Sequence, residues 1–244
     1  SRPEFVEAEA DKRAIHWAKQ LDAPLYIVHL ANKEGMEEVK KARDEGYEIY
    51  AETCPQYLYF TNEVFKREDG RNFVCSPPMK GQESQDALWK GIKTGDIATI
   101  ATDHCPFQSY EKDWGKDDFT KIPNGCAGIE NMYPYMLSEA NKGRLSFNKV
   151  VEICSTNPAK IYGCAPQKGS ITIGGDADIV IYDPTKEFTI SQNNMHSDSD
   201  HTIWEGVKLK GYPFMTFSRG KLVYKDGEFL GKPGWGKFLR RKRK

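Results

Sequence analysis

Two short apolar segments of the chain end in side chains that could bind a metal or move a proton. The segment "PLYIVHL" (24–30) contains His29 near its end, and "IATIATD" (97–103) ends in Asp103. Neutral imidazole and carboxylate are both ligands of Zn²⁺, and a carboxylate can also act as a general acid or base. His29 could instead be a hydrogen-bonded core histidine, and Asp103 could cap the next turn. His104 is the weaker ligand candidate, because a continuing strand would point it to the opposite side.

Two further segments could present backbone groups to a ligand. The segment "VCSPPMK" (74–80) places Ser76 before two prolines, which fix an extended and rigid backbone. The segment "IPNGCAGIE" (122–130) contains Asn124 followed by glycine, which is a signal of a tight turn. A plain surface loop explains the first segment equally well, and most Asn-Gly pairs are only turns.

Helices and strands alternate three times in the first part of the chain. The predicted elements are a helix over 3–21, a strand over 24–30, a helix over 33–46, a strand over 47–55, a helix over 84–95 and a strand over 97–103. Ser1 and Glu4 have the spacing of a capping box at the first helix. This alternation predicts parallel β/α units, and in a (β/α) barrel the C-terminal strand ends face the active site. Asp103 therefore belongs at the mouth of a barrel.

The pattern changes after about residue 166. "GSITIGGDADIVIYDP" (169–184) alternates, turns at Gly174-Gly175 and continues as a strand, and "PFMTFSRGKLVYKDGEFL" (213–230) predicts two strands with a hairpin turn at Asp226-Gly227. We therefore expect an α/β fold in three parts. The parts are barrel units over 1–166, β-sandwich strands over 167–230 and a basic tail over 231–244.

Composition limits the classes of protein that fit. The 244 residues include 39% hydrophobic side chains, and no apolar run reaches the roughly 20 residues of a membrane span. No signal segment opens the chain, so we expect a cytoplasmic protein with no membrane contact. Six cysteines occur without a C-x-x-C pair, which favours reduced, packed thiols.

The formal net charge is zero, but "KFLRRKRK" (237–244) contains six of the 35 basic residues. A basic tail is compatible with nucleic-acid contact, which would show a steep salt dependence. A solvated or partner-contacting terminus is the interpretation we favour.

Several of these segments together resemble one family. The dihydropyrimidinase/D-hydantoinase group of the metal-dependent amidohydrolases is similar in "YIVHLA", "ETCPQYL", "CSPPMK", "ATDHCPF", "IPNGCAGIE", "STNPAKIYG" and "KGSITIGGDADIVIYDP", in this order. The motifs "NPAK" and "GDADIVIYDP" are shared widely among amidohydrolases. The motifs "CSPPMK" and "IPNG" narrow the resemblance to the cyclic-amide hydrolases.

The resemblance implies a fold, a reaction and a role for particular residues. It implies the C-terminal half of a (β/α)₈ barrel with sandwich strands, and a homotetramer when the enzyme is complete. His29 would bind one of two zinc ions, and Asp103 would bind the other and act as general acid/base. Ser76 and Asn124 would hold the imide edge of a cyclic ureide, largely through backbone groups. The product would be an N-carbamoyl amino acid.

The chain departs from the family in lacking several of its expected ligands. The family has an H-x-H motif, a carboxylated lysine, a further histidine and a carbonyl-polarising tyrosine, all upstream of the region matched here. The five histidines here are His16, His29, His104, His196 and His201, and no two form H-x-H. We therefore expect this chain to be inactive by itself. The alternative is a non-catalytic interaction protein like the collapsin-response-mediator proteins, which share the fold and have lost metal ligands.

Overall fold

The computed structural model describes residues 2–241, and these form two compact units. The first unit comprises the chain up to Met132 together with Ile190–Val207, and the second comprises Tyr133–Thr189 together with the chain from Lys208. The two units are defined by which residues pack together, whereas the predicted boundary at residue 166 marks where barrel units give way to sandwich strands. The division at 166 stays a prediction.

The first unit alternates helices with short parallel strands. Its α-helices and strands are α1 (Glu4–Leu21), β1 (Leu25–Ile27), α2 (Lys33–Asp44), β2 (Ile49–Thr53), α3 (Pro55–Tyr59), α4 (Gln82–Thr94), β3 (Thr99–Ile100) and α5 (Ser109–Lys112). Single 3₁₀ turns lie at Asn62–Lys66, Gly70–Phe73, Asp113–Gly115, Phe119–Lys121 and Gln192–Asn194. The predicted alternation of helix and strand is thus present.

The three strands form one parallel sheet in the order β1-β2-β3. Leu25 pairs with Ile49, and Thr53 pairs with Ile100. The side chains of this unit's core are fully buried and come from helices and strands alike: Val39, Ala51, Leu88, Ile92 and Ile97. The chain enters each strand on the same side, so all three strands end at one edge of the sheet.

The helices end where the sequence supplies the appropriate cap. Asn32 begins α2 by accepting a hydrogen bond from the Gly35 amide at 2.7 Å. Gly95 ends α4 in the left-handed conformation (φ 88°), which glycine adopts without a steric penalty. The capping residue of α1 is Pro3, and the predicted cap Ser1 lies outside the described residues.

The second unit combines helices with an antiparallel sheet. Its helices are α6 (Met132–Asn141, which begins at the unit boundary), α7 (Phe147–Val151), a π-helical turn (Glu152–Thr156) and α8 (Asn157–Ile161). Its strands β4 (Ile179–Thr189), β5 (Lys208–Ser218), β6 (Lys221–Lys225) and β7 (Glu228–Phe229) pair in chain order. The predicted hairpin turn is confirmed, because Asp226 (φ 45°) and Gly227 (φ 96°) join β6 to β7.

The predicted strands are longer than those in the structure, and one of them is absent. The strand predicted over 24–30 is confined to Leu25–Ile27, and the strand predicted over 47–55 is confined to Ile49–Thr53. The strand predicted over 97–103 is confined to Thr99–Ile100, since Asp103 has a left-handed backbone (φ 47°) that cannot continue a strand. The alternating residues before Gly174 are not a strand, and Ile171 (83% exposed) and Ile173 (109% exposed) point into solvent. Alternation alone indicated a buried face there, but no neighbouring strand covers it.

None of the helices within residues 2–241 has both the length and the apolar character needed to cross a lipid bilayer.

Candidate active site

His29 and Asp103 follow two strands of the parallel sheet and share an unusual backbone conformation. His29 (φ 44°) comes two residues after β1, and Asp103 (φ 47°) comes three residues after β3. Both side chains are half-buried. A left-handed backbone costs an L-residue about 1–2 kcal/mol and tends to persist where function requires it. The strain therefore marks both strand ends as candidate functional positions.

The segments that hold these residues are both tied to β2 and the residues after it. The Leu30 amide donates to the Glu52 carbonyl at 2.8 Å, and the Thr53 hydroxyl donates to the Leu30 carbonyl at 2.7 Å. The Gln56 amide group donates to the Thr102 carbonyl at 3.2 Å. Strand β2 thus fixes the residue next to His29, and Gln56 in α3 fixes the residue next to Asp103.

Helix α1 holds the His29 loop from its far side. The Glu7 carboxylate accepts a hydrogen bond from the Ala31 amide at 2.7 Å and lies 3.4 Å from the Lys80 ammonium. Asp11 is one turn further along α1, and burial, with a smaller contribution from the Glu7 charge, raises its pKa to about 7. The loop that carries His29 is therefore held by an acidic helix face.

His29 and Asp103 suit a metal ion as two ligands of a larger set. Imidazole and carboxylate are both ordinary ligands of zinc. Across residues 2–241, however, no three His, Cys, Asp or Glu side chains are grouped as a metal site would require. The two residues therefore fit part of a metal centre and do not complete one.

Ser76 and Asn124 lie in two loops that contact each other. The Gly125 amide donates to the Val74 carbonyl at 3.0 Å. Both loops line a cleft of about 780 Å³, to which they contribute Val74, Cys75, Pro78, Ile122 and Asn124. Both Ser76 and Asn124 are exposed to solvent; the Ser76 hydroxyl accepts a hydrogen bond from Arg2, and the Asn124 amide group donates to the Ile122 carbonyl at 3.3 Å.

Buried thiols connect Asp103 with these two loops. A hydrogen bond from Cys126, together with the Tyr57 hydroxyl and the nearby Lys112 charge, lowers the pKa of Cys75, while burial and the Asp103 charge oppose this. The pKa of Cys126 is raised, chiefly by its hydrogen bond with Cys75 and by burial. The charge of Asp103 thus acts on a thiol in each loop. All six cysteines are free thiols, but the prediction that they are packed does not hold for Cys105, which is exposed.

His104 serves a structural contact. Its Nδ1 accepts hydrogen bonds from the amides of Gly128 (3.0 Å) and Ile129 (3.3 Å), so the proton of the neutral ring is on Nε2. The imidazole therefore anchors the segment after Asn124.

Sequence reasoning missed Lys112, which is almost completely buried behind the two loops. A lysine at the end of a short polar helix has the pattern of a solvated residue. Its hydrogen bonds to three backbone carbonyls distinguish it from a solvated surface lysine.

Known proteins match this arrangement along nearly the whole chain. A model of the amidohydrolase family matches residues 17–223. The D-hydantoinase of Ralstonia pickettii is 42% identical over 100% of this chain and 54% of its own length. The D-phenylhydantoinase of Escherichia coli O1:K1 is 42% identical over 99% of this chain and 53% of its own length. The crystal structure of dihydropyrimidinase from Brevibacillus agri NCHU1002 superposes with a TM-score of 0.96 at 40% identity, covering 98% of this chain and 53% of that one.

These matches define a class of enzyme fold and the family of this chain. The parallel sheet is part of an amidohydrolase barrel, and the antiparallel sheet that follows it supplies sandwich strands. The predicted fold class is therefore confirmed. The chain belongs to the amidohydrolase family. The resemblance to dihydropyrimidinases and D-hydantoinases is also confirmed, and the chain spans about half the length of the curated relatives it matches.

Proposed function

We propose that the protein containing these residues opens the ring of cyclic ureides, either five-membered hydantoins or six-membered dihydropyrimidines. The product is an N-carbamoyl amino acid. Relatives named D-hydantoinase, D-phenylhydantoinase and dihydropyrimidinase support this assignment. The observation that carries it is the placement of His29 and Asp103, both with a left-handed backbone, after strands of one parallel sheet.

Asp103 is the residue we assign to proton transfer. Its carboxylate accepts a proton from the attacking water as the oxygen adds to the ring carbonyl carbon. It then returns this proton to the ring nitrogen as the carbon–nitrogen bond breaks, which makes the poor leaving group neutral. Water is consumed, one C–N bond is cleaved, and no redox partner is needed.

We further propose that the complete protein depends on zinc, with His29 and Asp103 as the ligands supplied by this chain. When bound, zinc lowers the pKa of water and polarises a carbonyl group. The half-buried imidazole and carboxylate have the donor chemistry that this ion prefers.

Substrate binding belongs, in this proposal, to the loops of Ser76 and Asn124. Both residues lie beside the cleft, and their side chains are engaged locally by Arg2 and by the Ile122 carbonyl. Their backbone N–H and C=O groups are therefore the groups we assign to the imide edge of the substrate. Such an edge presents alternating acceptors and donors that match a peptide backbone.

The test is a ring-opening assay on the longest natural form of the protein that contains these residues. We expect hydrolysis of hydantoin or dihydrouracil, loss of activity with a chelator and recovery with Zn²⁺. A zinc-loaded protein that opens neither ring would contradict the assignment and favour the non-catalytic interaction protein.

The oligomeric state is a further part of the proposal, with a homotetramer expected from the family resemblance. Trp235 is half-buried; its ring lies under the Arg219 guanidinium (4.5 Å) and its indole N–H donates to Ser218 at 3.2 Å. Phe238, in contrast, is 91% exposed. Deleting residues 237–244, whose last three lie outside the described residues, should lower the mass of the full-length protein in light scattering. An unchanged mass would remove the tail from assembly.

A further inference from the structure

Lys112 is a buried cation behind the proposed substrate-binding loops. It is the last residue of α5, and only 1% of its surface is exposed. Lysine is almost never buried to this extent without polar partners. Burial lowers the pKa of its ammonium group, so the surrounding structure must satisfy this group closely.

The three partners of Lys112 are all backbone carbonyl groups. Its Nζ donates to the carbonyls of Val74 (2.9 Å), Pro123 (2.7 Å) and Gly125 (2.8 Å). A protonated amine has three N–H donors and a neutral amine has two, so the arrangement uses every donor of the charged form. The Phe107 ring, centred 5.3 Å from Nζ, adds a further favourable contact.

These three carbonyls belong to the two loops that carry Ser76 and Asn124. Val74 is two residues before Ser76, and Pro123 and Gly125 stand on either side of Asn124. Besides Lys112, the Gly125 amide links the loops by donating to the Val74 carbonyl, and the Cys75 and Cys126 thiols share a hydrogen bond. The ammonium group thus joins the loops at the point where their backbones must be held in register.

Helix α5 gives Lys112 a rigid base. Gln108 and Glu111 form a reciprocal capping box, in which the Gln108 amide donates to the Glu111 carboxylate at 2.7 Å. Before the helix, the Cys105 amide donates to the Cys126 carbonyl at 3.1 Å. The segment before the helix is therefore bound to the Asn124 loop, and Lys112 at the end of the helix is bound to the three carbonyls.

We propose that Lys112 is a positioning residue that sets the separation and register of the Ser76 and Asn124 loops, and thereby the binding of the substrate's imide edge. The proposal rests on the proposed function of these loops. An apolar side chain of equal length would fill the same space but would remove the ammonium donor from the carbonyls of Pro123 and Gly125, while the Val74 carbonyl would keep the Gly125 amide as a donor. The loops would then keep the Gly125–Val74 and Cys75–Cys126 hydrogen bonds but would lose the group that binds both backbones at once and fixes their register.

The experiment compares three variants of the full-length protein. Lys112→Met keeps the volume and removes the donors, and Lys112→Arg keeps a charged donor. Leu88→Ala creates a cavity at a fully buried position of α4 and serves as the control for lost stability. The readouts are kcat and KM for ring opening, bound zinc, Tm, and hydrogen exchange of peptides covering 74–78 and 122–126.

We expect Lys112→Met to raise KM by about tenfold or more, with a smaller effect on kcat and unchanged zinc content. Exchange should increase in both loop peptides, and Lys112→Arg should recover part of the KM. Leu88→Ala should lower Tm while KM and loop exchange stay within about twofold of the unmodified protein. A KM for Lys112→Met within twofold, or the same KM increase in Leu88→Ala at equal Tm, would overturn the proposal.

Two further outcomes keep the test decisive. If Lys112→Met does not fold, Lys112→Arg tests the proposal instead. Faster hydrogen exchange in the two loop peptides of Lys112→Arg, together with an unchanged KM, would contradict a positioning role. If the unmodified protein opens no cyclic ureide, the proposed function fails, while loop exchange still tests the structural claim. Equal exchange in Lys112→Met and the unmodified protein would then refute the role of Lys112 on its own.

Discussion

At the scale of single residues, the two candidate ligands are distinguished by conformation as much as by chemical type. His29 and Asp103 accept a left-handed backbone in the parallel-sheet unit, where a glycine would carry no such strain. The other non-glycine residues with positive φ, which are Asp22, Arg219 and Asp226, lie at a helix end or in strand turns. At those positions, local geometry explains the conformation. His29 and Asp103 instead follow parallel strands, which is why we treat them as candidate functional positions.

We predict that Asp103→Asn abolishes ring opening in the full-length protein and leaves the fold intact. Loss of general acid/base action alone lowers a rate by about 10² to 10⁴. Asp22→Asn is the matched control, because Asp22 has nearly the same backbone conformation (φ 48°) but caps α1 at the surface. Steady-state kinetics and circular dichroism check both variants. Turnover by Asp103→Asn within tenfold of the unmodified protein would remove Asp103 from the mechanism.

Asp11 gives a prediction about pH. Its pKa, raised from 3.8 to about 7 by burial and by the Glu7 charge, means that the folded protein holds a proton that the unfolded chain has released. Stability should therefore fall as the pH rises from about 4 to about 7, and the penalty persists above that range.

Asp11→Asn should remove this decline and stabilise the protein at pH 8 by about 1–2 kcal/mol, less than the full shift implies because Asp11 is partly solvated. Denaturant melts at pH 5 and pH 8 measure the effect, with the exposed Asp44→Asn as the control. A gain of equal size at both values would contradict the role of Asp11 ionisation.

At the scale of elements, each strand delivers its polar residue because a helix or neighbouring strand fixes the turn that follows. Thr53 at the end of β2 holds the Leu30 carbonyl after His29, and Gln56 in α3 holds the Thr102 carbonyl before Asp103. The sheet therefore positions both candidate ligands, since the short strands β1 and β3 both pair with β2.

The cap of α2 tests this support. Asn32→Ala removes the acceptor for the Gly35 amide in a fully buried position three residues after His29. We expect a loss of about 1–2 kcal/mol in the free energy of unfolding, because a cap of this kind contributes about 1 kcal/mol and burial leaves the amide without water. Asn32→Ser, which keeps a capping oxygen, should retain most of the stability in urea melts. Equal losses in both variants would show that the capping oxygen does not matter.

At the scale of the whole molecule, the proposed function calls for a metal centre to which this chain would supply two proposed ligands, His29 and Asp103. Within residues 2–241, no group of three metal-binding side chains is present, and two ligands cannot hold one catalytic ion, which ordinarily needs three. We predict that residues 1–244 alone, dialysed against Zn²⁺, bind less than one equivalent and open no ureide ring. Metal analysis and the ring-opening assay check this, with the full-length protein as the positive control. Stoichiometric zinc with turnover of about 1 s⁻¹ or more would show that the ligand set has been misassigned.

The sequence by itself determined the local order of the chain, because hydrophobic periodicity and capping residues act over a few positions. The helices α1, α2 and α4, the hairpin at Asp226-Gly227 and the positions of His29 and Asp103 after apolar segments were all predictable in this way. Tertiary structure decided what depends on distant partners. Ile171 and Ile173 alternate like strand residues but have no strand to pair with, and Lys112 resembles a surface lysine until three carbonyls from two loops surround it. Whether a residue is buried or paired depends on which segments the fold brings beside it, and no local pattern contains that information.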